Sequence, residues 1–292
     1  MKVRVLGTAA GGGLPQWNCA CDTCAAARKA GAGRTQDCLA ISGDGTVWHL
    51  VNASPDIRTQ IIGAPELVPG PGRRDTPLRG VLFTSAELDH TLGLLALREA
   101  GQMTVYGTAT VLGALTEGLP VRRIVDPYGG FRWHPLDGNP LDLDDRLSVT
   151  VVPLGRKRPR YAAELQEADD WVSAYRFTDR RTGAALVYAP CLARWSPAID
   201  AALAGATWAM LDGSFFTDDE MDRRAGGGAT SLQMGHLPIE DSLGHRAEHP
   251  DVRWFYTHLN NTNPVLLDDS PELRALVAAG AEVAADGMLL DG

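Results

Sequence analysis

Short apolar runs punctuated by turn residues recur along the 292-residue chain. Residues 3–6 read as a first strand. Residues 38–42 and 47–51 alternate on either side of Gly43-Asp-Gly45, which predicts a β-hairpin. Ser54-Pro55 then opens a helix, with Pro at a favoured first position and Asp56 suited to the helix dipole. Residues 81–83 form an apolar run of the buried-strand type, and Leu92, Leu94, Leu95 and Leu97 follow at helical spacing. Further strands are expected at 103–106, 131–135 and 147–154, with a helix over 108–117. Residues 171–177 and 184–189 make a second hairpin. A helix capped by Ser196 covers 197–204, and strands follow at 208–211 and 253–257. A last helix over 271–279 and short strands at 282–285 and 287–290 close the chain. Hairpin, strand and helix thus occur twice in order, without a strict repeat. This predicts one α/β domain over residues 1–292, with two sheets sandwiched between outer helix layers.

Composition narrows the function classes. A net charge of −9 and a pI near 5.2 argue against a general nucleic-acid binder. No stretch approaches the ~20 apolar residues of a membrane span. The opening apolar run is short and broken by Lys2 and Arg4, unlike a signal peptide. A cytoplasmic location is the resulting expectation. Five cysteines, three of them within six positions, do not form a secreted disulfide framework.

Those three, Cys19, Cys21 and Cys24, are spaced C-x-C-x-x-C and suit one structural Zn²⁺, with a fourth ligand from elsewhere. A second pattern lies at the strand ends. Asp89-His90 follow the run 81–83, Asp212 follows 208–211, and His258 follows 253–257. Asp89 could be only an N-cap and His90 only a first-turn residue. Carboxylates and imidazoles converging from separate strand ends instead suit a divalent metal with mixed O/N ligation, which His236 could join from a loop. The run Arg156-Lys-Arg-Pro-Arg160 is basic in an acidic protein. It reads either as a solvated loop or as a clamp in which Arg156, Arg158 and Arg160 grip an anionic substrate. Cys38 and His49 are expected in the packed interior, and His134, His245 and His249 at the surface.

Several longer runs carry a resemblance. Val5-Leu-Gly-Thr-Ala-Ala-Gly-Gly-Gly, Pro15-Gln-Trp-Asn-Cys, Asn52-Ala-Ser-Pro-Asp-Ile-Arg58, Leu88-Asp-His-Thr-Leu-Gly-Leu-Leu, Met234-Gly-His-Leu and His258-Leu-Asn-Asn-Thr-Asn-Pro264 resemble the coenzyme PQQ synthesis protein B family. That family is a branch of the metallo-β-lactamase fold, an αββα sandwich. The fold's hallmark H-x-H-x-D-H is cut down here: Ser85 and Glu87 stand where two histidines would stand, while Asp89 and His90 remain. The relatives' later metal-binding Asp falls near Tyr188-Ala-Pro190, where there is no carboxylate.

The resemblance implies a part in building pyrroloquinoline quinone (PQQ) from a Glu-Tyr cross-linked peptide. The activity implied is iron-dependent hydroxylation of the tyrosine-derived ring with O₂. Alternatives are a carrier of PQQ or its precursor, and a zinc-dependent hydrolase. The implied site is mononuclear, with Asp89, His90 and His258 as ligands and Asp212 as a candidate fourth. Its ion would be Fe²⁺, with Zn²⁺ an alternative in the purified protein. His236 would act as an acid/base or substrate contact, Glu87 as a base, and Ser85 as a hydrogen-bonding group near the pocket. In one subgroup of the fold the cysteine site is completed by a His; here that position is Asn261. Expected partners are a small acidic amino-acid or peptide-derived precursor, a second copy in a homodimer, and other PQQ-pathway proteins.

Overall fold

The computed structural model describes residues 1–292. In chain order, β1 (Lys2–Gly7), β2 (Cys38–Ser42), β3 (Trp48–Val51), β4 (Leu78–Leu82), β5 (Gln102–Thr108) and β6 (Gly130–Leu136) build one sheet. The second sheet holds β7 (Leu141–Asp142), β8 (Leu147–Gly155), β9 (Val172–Asp179), β10 (Ala185–Ala189), β11 (Trp208–Asp212), β12 (Arg253–Thr257) and β13 (Ala281–Val283). A last strand, β14 (Leu289–Asp291), returns to pair with β1, so the orders are β14-β1-β2-β3-β4-β5-β6 and β13-β12-β11-β10-β9-β8-β7. Each sheet is antiparallel on one side and parallel on the other: β3 to β6 run parallel, as do β10 to β13.

The period-2 alternation of the strands decides which layer each side chain joins. In β2, Leu39 and Ile41 face the other sheet, meeting Tyr175, Phe177, Leu186 and Phe255, while Cys38 and Ala40 face outward. The outer face of the first sheet is covered by α2 (Ile57–Gly63) and α4 (Ala109–Glu117) through Ile57, Val111 and Leu115. The outer face of the second carries Ile199 and Leu203 of α6 (Pro197–Leu203) and Leu276 of α9 (Pro271–Ala278). The result is the expected αββα sandwich. No helix is long and apolar enough to cross a membrane.

The structure departs from the sequence-based expectation in four places. A helix that the cysteine spacing does not announce, α1 (Asp22–Ala30), begins inside the cysteine stretch and takes Cys24 into its first turn. The leucines after His90 do not make one helix. A four-residue α3 (Leu88–Thr91) passes into a 3₁₀ turn, Leu92–Leu95, because Gly93 is pressed against the Ala53–Ser54 backbone. The helices α5 (Val121–Val125) and α7 (Glu220–Ala225) are short, and their apolar spacing is too brief to register, whereas the start of α8 (Ile239–Leu243) after Pro238 is legible in the sequence. His245 and His249 are not surface residues but half-buried: His245 stacks on Trp195 at 4.2 Å between ring centroids, and His249 lies 3.1 Å from Asp200.

Candidate metal centre

The parallel halves of both sheets end at one rim, where a cleft of about 700 Å³ opens. Strand β4 delivers Thr84 and Ser85 to this rim. Asn52, held in the left-handed region at φ 63°, accepts from both the backbone N–H and the hydroxyl of Thr84 at 3.0 Å. The short helix α3 then carries Asp89 and His90. His90 is fully buried, and its Nδ1 lies 2.8 Å from Ser85 Oγ and 3.2 Å from Thr84 Oγ1. Its Nε2 has no partner at all. A buried polar atom without a partner carries a desolvation cost that native structures rarely leave unanswered.

The opposite wall comes from β12. His258 follows Thr257 with φ 57°, a conformation non-glycine residues adopt at a cost and chiefly where function requires it. Beneath it, Thr257 and Tyr188 both donate to the buried carboxylate of Asp37. Ser214 Oγ lies 2.9 Å from His258 Nδ1, which turns Nε2 into the cleft. There it sits 3.4 Å from Asp89 Oδ2 and 3.9 Å from Cys191 Sγ. The His90 and His258 rings meet edge to face at 5.3 Å. The donor set and the orphaned nitrogen fit a divalent ion: one imidazole oriented through Nδ1, a second oriented the same way, and a carboxylate beside them.

Electrostatics separate the two imidazoles: His90 is ready to ligate, whereas His258 holds a proton against Asp89 that an ion would displace. Burial pulls His90 down to about 4, with Asp89 only partly opposing, so the ring is neutral and able to ligate. Burial raises Asp89, but His90 and His258 outweigh it and hold the carboxyl well below the usual range. Burial lowers His258, yet Cys191 and Asp89 carry it well above the usual imidazole value. The Cys191 thiol is itself pushed up to about 11 by burial, so it is protonated at neutral pH. Asp89 is therefore the charge that sustains His258.

Asp212, His236 and His258 form an adjoining group whose ligand atoms lie within 4.8 Å of one another. Both Asp212 oxygens are already engaged. Oδ2 accepts from Leu192 N at 2.7 Å and faces His236 Nδ1 at 2.8 Å, while Oδ1 accepts from Ser214 N and Oγ at 3.0 and 2.7 Å. Burial raises this carboxyl, but His236 and the surrounding donors bring it below its ordinary value. The arrangement suits Asp212 to orient His236.

Ser85 is buried and spends its hydroxyl on His90; Glu87 lines the cleft, its carboxyl raised by burial and by Asp89. The basic loop divides. Arg158 and Arg160 line the cleft, but Arg156 turns outward to pair with exposed Asp169, so its expected substrate contact is corrected. Lys157, overlooked in the sequence, takes its place in the wall and packs against Gly235. Cys191 and Ser214 were also missed, although each follows a strand end as the other site residues do.

Cys19, Cys21 and Cys24 converge on Asn261, three residues past His258. The Asn261 side-chain amide lies 3.1, 3.5 and 3.3 Å from their three sulfurs, closing the fourth side.

The chain matches the Beta-lactamase superfamily domain over residues 47–259. It is 42% identical over 300 residues to the coenzyme PQQ synthesis protein B of Cupriavidus necator, with 98% of each chain covered. To that of Azotobacter vinelandii it is 38% identical over 301 residues, covering 100% of both. Among solved structures it resembles Zn²⁺-bound PqqB from Methylobacterium extorquens, with a TM-score of 0.91 and 36% identity over 100% of both chains. A diphosphatase from the PhnP family shares the fold at a TM-score of 0.70 and 18% identity, over 99% of this chain and 96% of that one. The chain belongs to the coenzyme PQQ synthesis protein B family of the β-lactamase superfamily.

Proposed function

We propose that the chain acts in PQQ biosynthesis as a metal-dependent hydroxylase, working with O₂ on the tyrosine-derived ring of a Glu-Tyr intermediate. The observation that carries this reading is the unpartnered Nε2 of buried His90, in a cleft it shares with His258 Nε2 and the Asp89 carboxylate. Two imidazoles and one carboxylate with open positions are the donor set of non-haem iron oxygenases. Bound there by Asp89, His90 and His258, Fe²⁺ would supply the activation of O₂.

The chain's own residues account for the rest. Lys157, Arg158 and Arg160 give the cleft a cationic wall suited to the carboxylates of a small acidic precursor. Asp212 fixes His236 through Nδ1, leaving Nε2 as the face that can accept or return a proton at the ring hydroxyl. Ser85 and Glu87 occupy the positions where a second ion's histidines would stand, which counts against a two-metal hydrolase. A carrier would have no use for an oriented, unpartnered imidazole. The same reading puts the chain in the cytoplasm among other proteins of the pathway.

The test is anaerobic reconstitution with Fe²⁺ and a peptide-derived tyrosine or dihydroxyphenylalanine substrate, followed by admission of air. Substrate-dependent O₂ uptake with a product one oxygen atom heavier is expected. Uptake that is absent with every such substrate, in chain shown to hold iron, would sink the reading.

A further inference from the structure

We infer that Asp200, His245 and Glu248 form a further Zn²⁺ site on the outer helix layer of the second sheet, apart from both the cleft and the cysteine cluster.

Local structure brings the three together. Gly244–Glu248 is a 3₁₀ turn, in which residues three apart stand directly above one another. His245 and Glu248 therefore share a face, and His245 Nδ1 lies 3.6 Å from Glu248 Oε1. Asp200 reaches the same spot from α6, and the ligand atoms of all three fall within 4.8 Å of one another. A tetrahedral ion with bonds of about 2.05 Å sets neighbouring ligand atoms roughly 3.3 Å apart. The observed spacing is thus close to a chelating one. The place is distinct from the cleft. β12 starts at Arg253, just past this turn, and ends just before His258. Its five residues span roughly 16 Å, so the two sites sit at opposite ends of one strand.

The surroundings hold the ligands ready. The His245 ring stacks on Trp195 at 4.2 Å and 3°, and Trp195 in turn stacks on Trp254. Asp200 Oδ1 takes the Trp195 indole N–H at 2.8 Å and faces His249 Nε2 at 3.1 Å, which leaves Oδ2 for an ion. Desolvation raises this carboxyl, but Trp195 and His249 outweigh it and hold it below its ordinary value. Oriented ligands backed in this way are what a metal site requires.

A second observation points to a missing ligand. His245 Nδ1 is a buried atom with no hydrogen-bond partner, although its ring is fixed by stacking. Burying an imidazole nitrogen unanswered is costly, and an ion between it and the two carboxylates would answer it. Two carboxylates would neutralise a divalent charge, and the imidazole favours zinc over magnesium or calcium. Glu248 is exposed, so the fourth position faces water and the ion can exchange. Bound there, it would join α6 to the turn before β12.

The experiment is equilibrium dialysis of the full-length chain against Zn²⁺, with metal counted per chain by elemental analysis. His245→Ala and Glu248→Gln should each hold one equivalent fewer than the parent, a difference independent of what the cleft and the cysteines take. Glu248→Gln alters an exposed side chain and keeps the stacked ring, so its fold is not at issue. His134→Ala, which removes an exposed histidine elsewhere, should match the parent. A local readout is the Trp195 indole N–H, assigned through Trp195→Phe. Its NMR resonance should shift as Zn²⁺ is added to the parent and stay in place in Glu248→Gln. Equal metal content in the parent and both site variants would overturn the inference, as would a Trp195 resonance that Zn²⁺ leaves unmoved in the parent.

Discussion

His258 Nε2 lies 3.4 Å from Asp89 Oδ2, so a residue following the second sheet touches one following the first. An ion bound between them would tie the two rims together. Binding to the folded chain alone stabilises it by about 2.7 kcal/mol when free metal is a hundredfold above its Kd. Chelation should therefore lower the unfolding temperature. Asp89→Asn and His258→Ala should abolish the part of that shift due to the cleft and remove one metal equivalent. Metal analysis alongside thermal unfolding checks this; an equal chelator effect in parent and variants would show that the cleft holds no ion.

Asp212 Oδ2 faces His236 Nδ1 at 2.8 Å while His236 borders the cleft. Replacing the carboxylate by an amide turns an acceptor into a donor at that nitrogen and favours the wrong tautomer. Asp212→Asn should lower kcat by on the order of a hundredfold, the usual scale of a positioned acid/base. KM and bound metal should change little. A loss of metal in parallel with activity would instead mark Asp212 as a ligand.

Asp89, His90 and His258 were legible because each follows a short apolar run, and such runs are the surest signal a single sequence gives. Asp212 was legible by the same rule, but its occupied oxygens were not, since they depend on Leu192 and Ser214 folding back on it. Cys191 follows a run just as apolar, yet a cysteine beside a strand reads as a small core residue until its neighbours are known. Which of Arg156 and Lys157 faces the cleft could not be read, because an irregular loop has no period to assign sides. The sandwich was legible from the order of strands, while α1 and the turn after α3 were set by tertiary contacts such as that of Gly93.

A Cβ at Gly93 would lie 2.1 Å from the Ser54 carbonyl oxygen, with the Ala53 backbone behind it. The same segment takes hydrogen bonds in both directions: Gly93 N donates to Ala53 O at 2.9 Å, and Ala53 N to His90 O at 2.6 Å. Backbone cannot yield as a flexible side chain can. Gly93→Ala should cost about 2–3 kcal/mol by overpacking and weaken metal binding by displacing His90. Denaturant unfolding with a metal titration tests both. Gly113, whose added Cβ would meet nothing within 4 Å, is the control, and its alanine variant should be neutral or slightly stabilising.

The basic loop offers a paired comparison. Arg160 and Lys157 line the cleft, whereas Arg156 pairs with exposed Asp169. An exposed ion pair contributes about 0–1 kcal/mol, so Arg156→Gln should change neither stability nor substrate binding measurably. Lys157→Gln and Arg160→Gln should each weaken binding of an acidic precursor about tenfold, a scale typical of a charge-assisted contact. That loss should shrink as salt rises. Calorimetric titration at two ionic strengths separates the cases, and equal effects at all three positions would refute the division of the loop.

Asp179 is enclosed between the Met1 ammonium, 2.9 Å from Oδ2, and the backbone N–H groups of Arg181 and Thr182 on Oδ1. Burial raises its carboxyl, but these donors prevail and bring it down to about 2. The folded value is depressed relative to an unfolded Asp near 3.9. Its contribution is therefore fully present above about pH 4 and lost as the pH falls through about 2. With allowance for screening at the end of β9, this amounts to about 1–2 kcal/mol. Asp179→Asn should remove that amount at pH 7 and flatten the stability curve between pH 4 and 2. Urea unfolding at several pH values is the measurement. A curve for Asp179→Asn that runs parallel to the parent through that window would show that the pair carries no pH-linked stability.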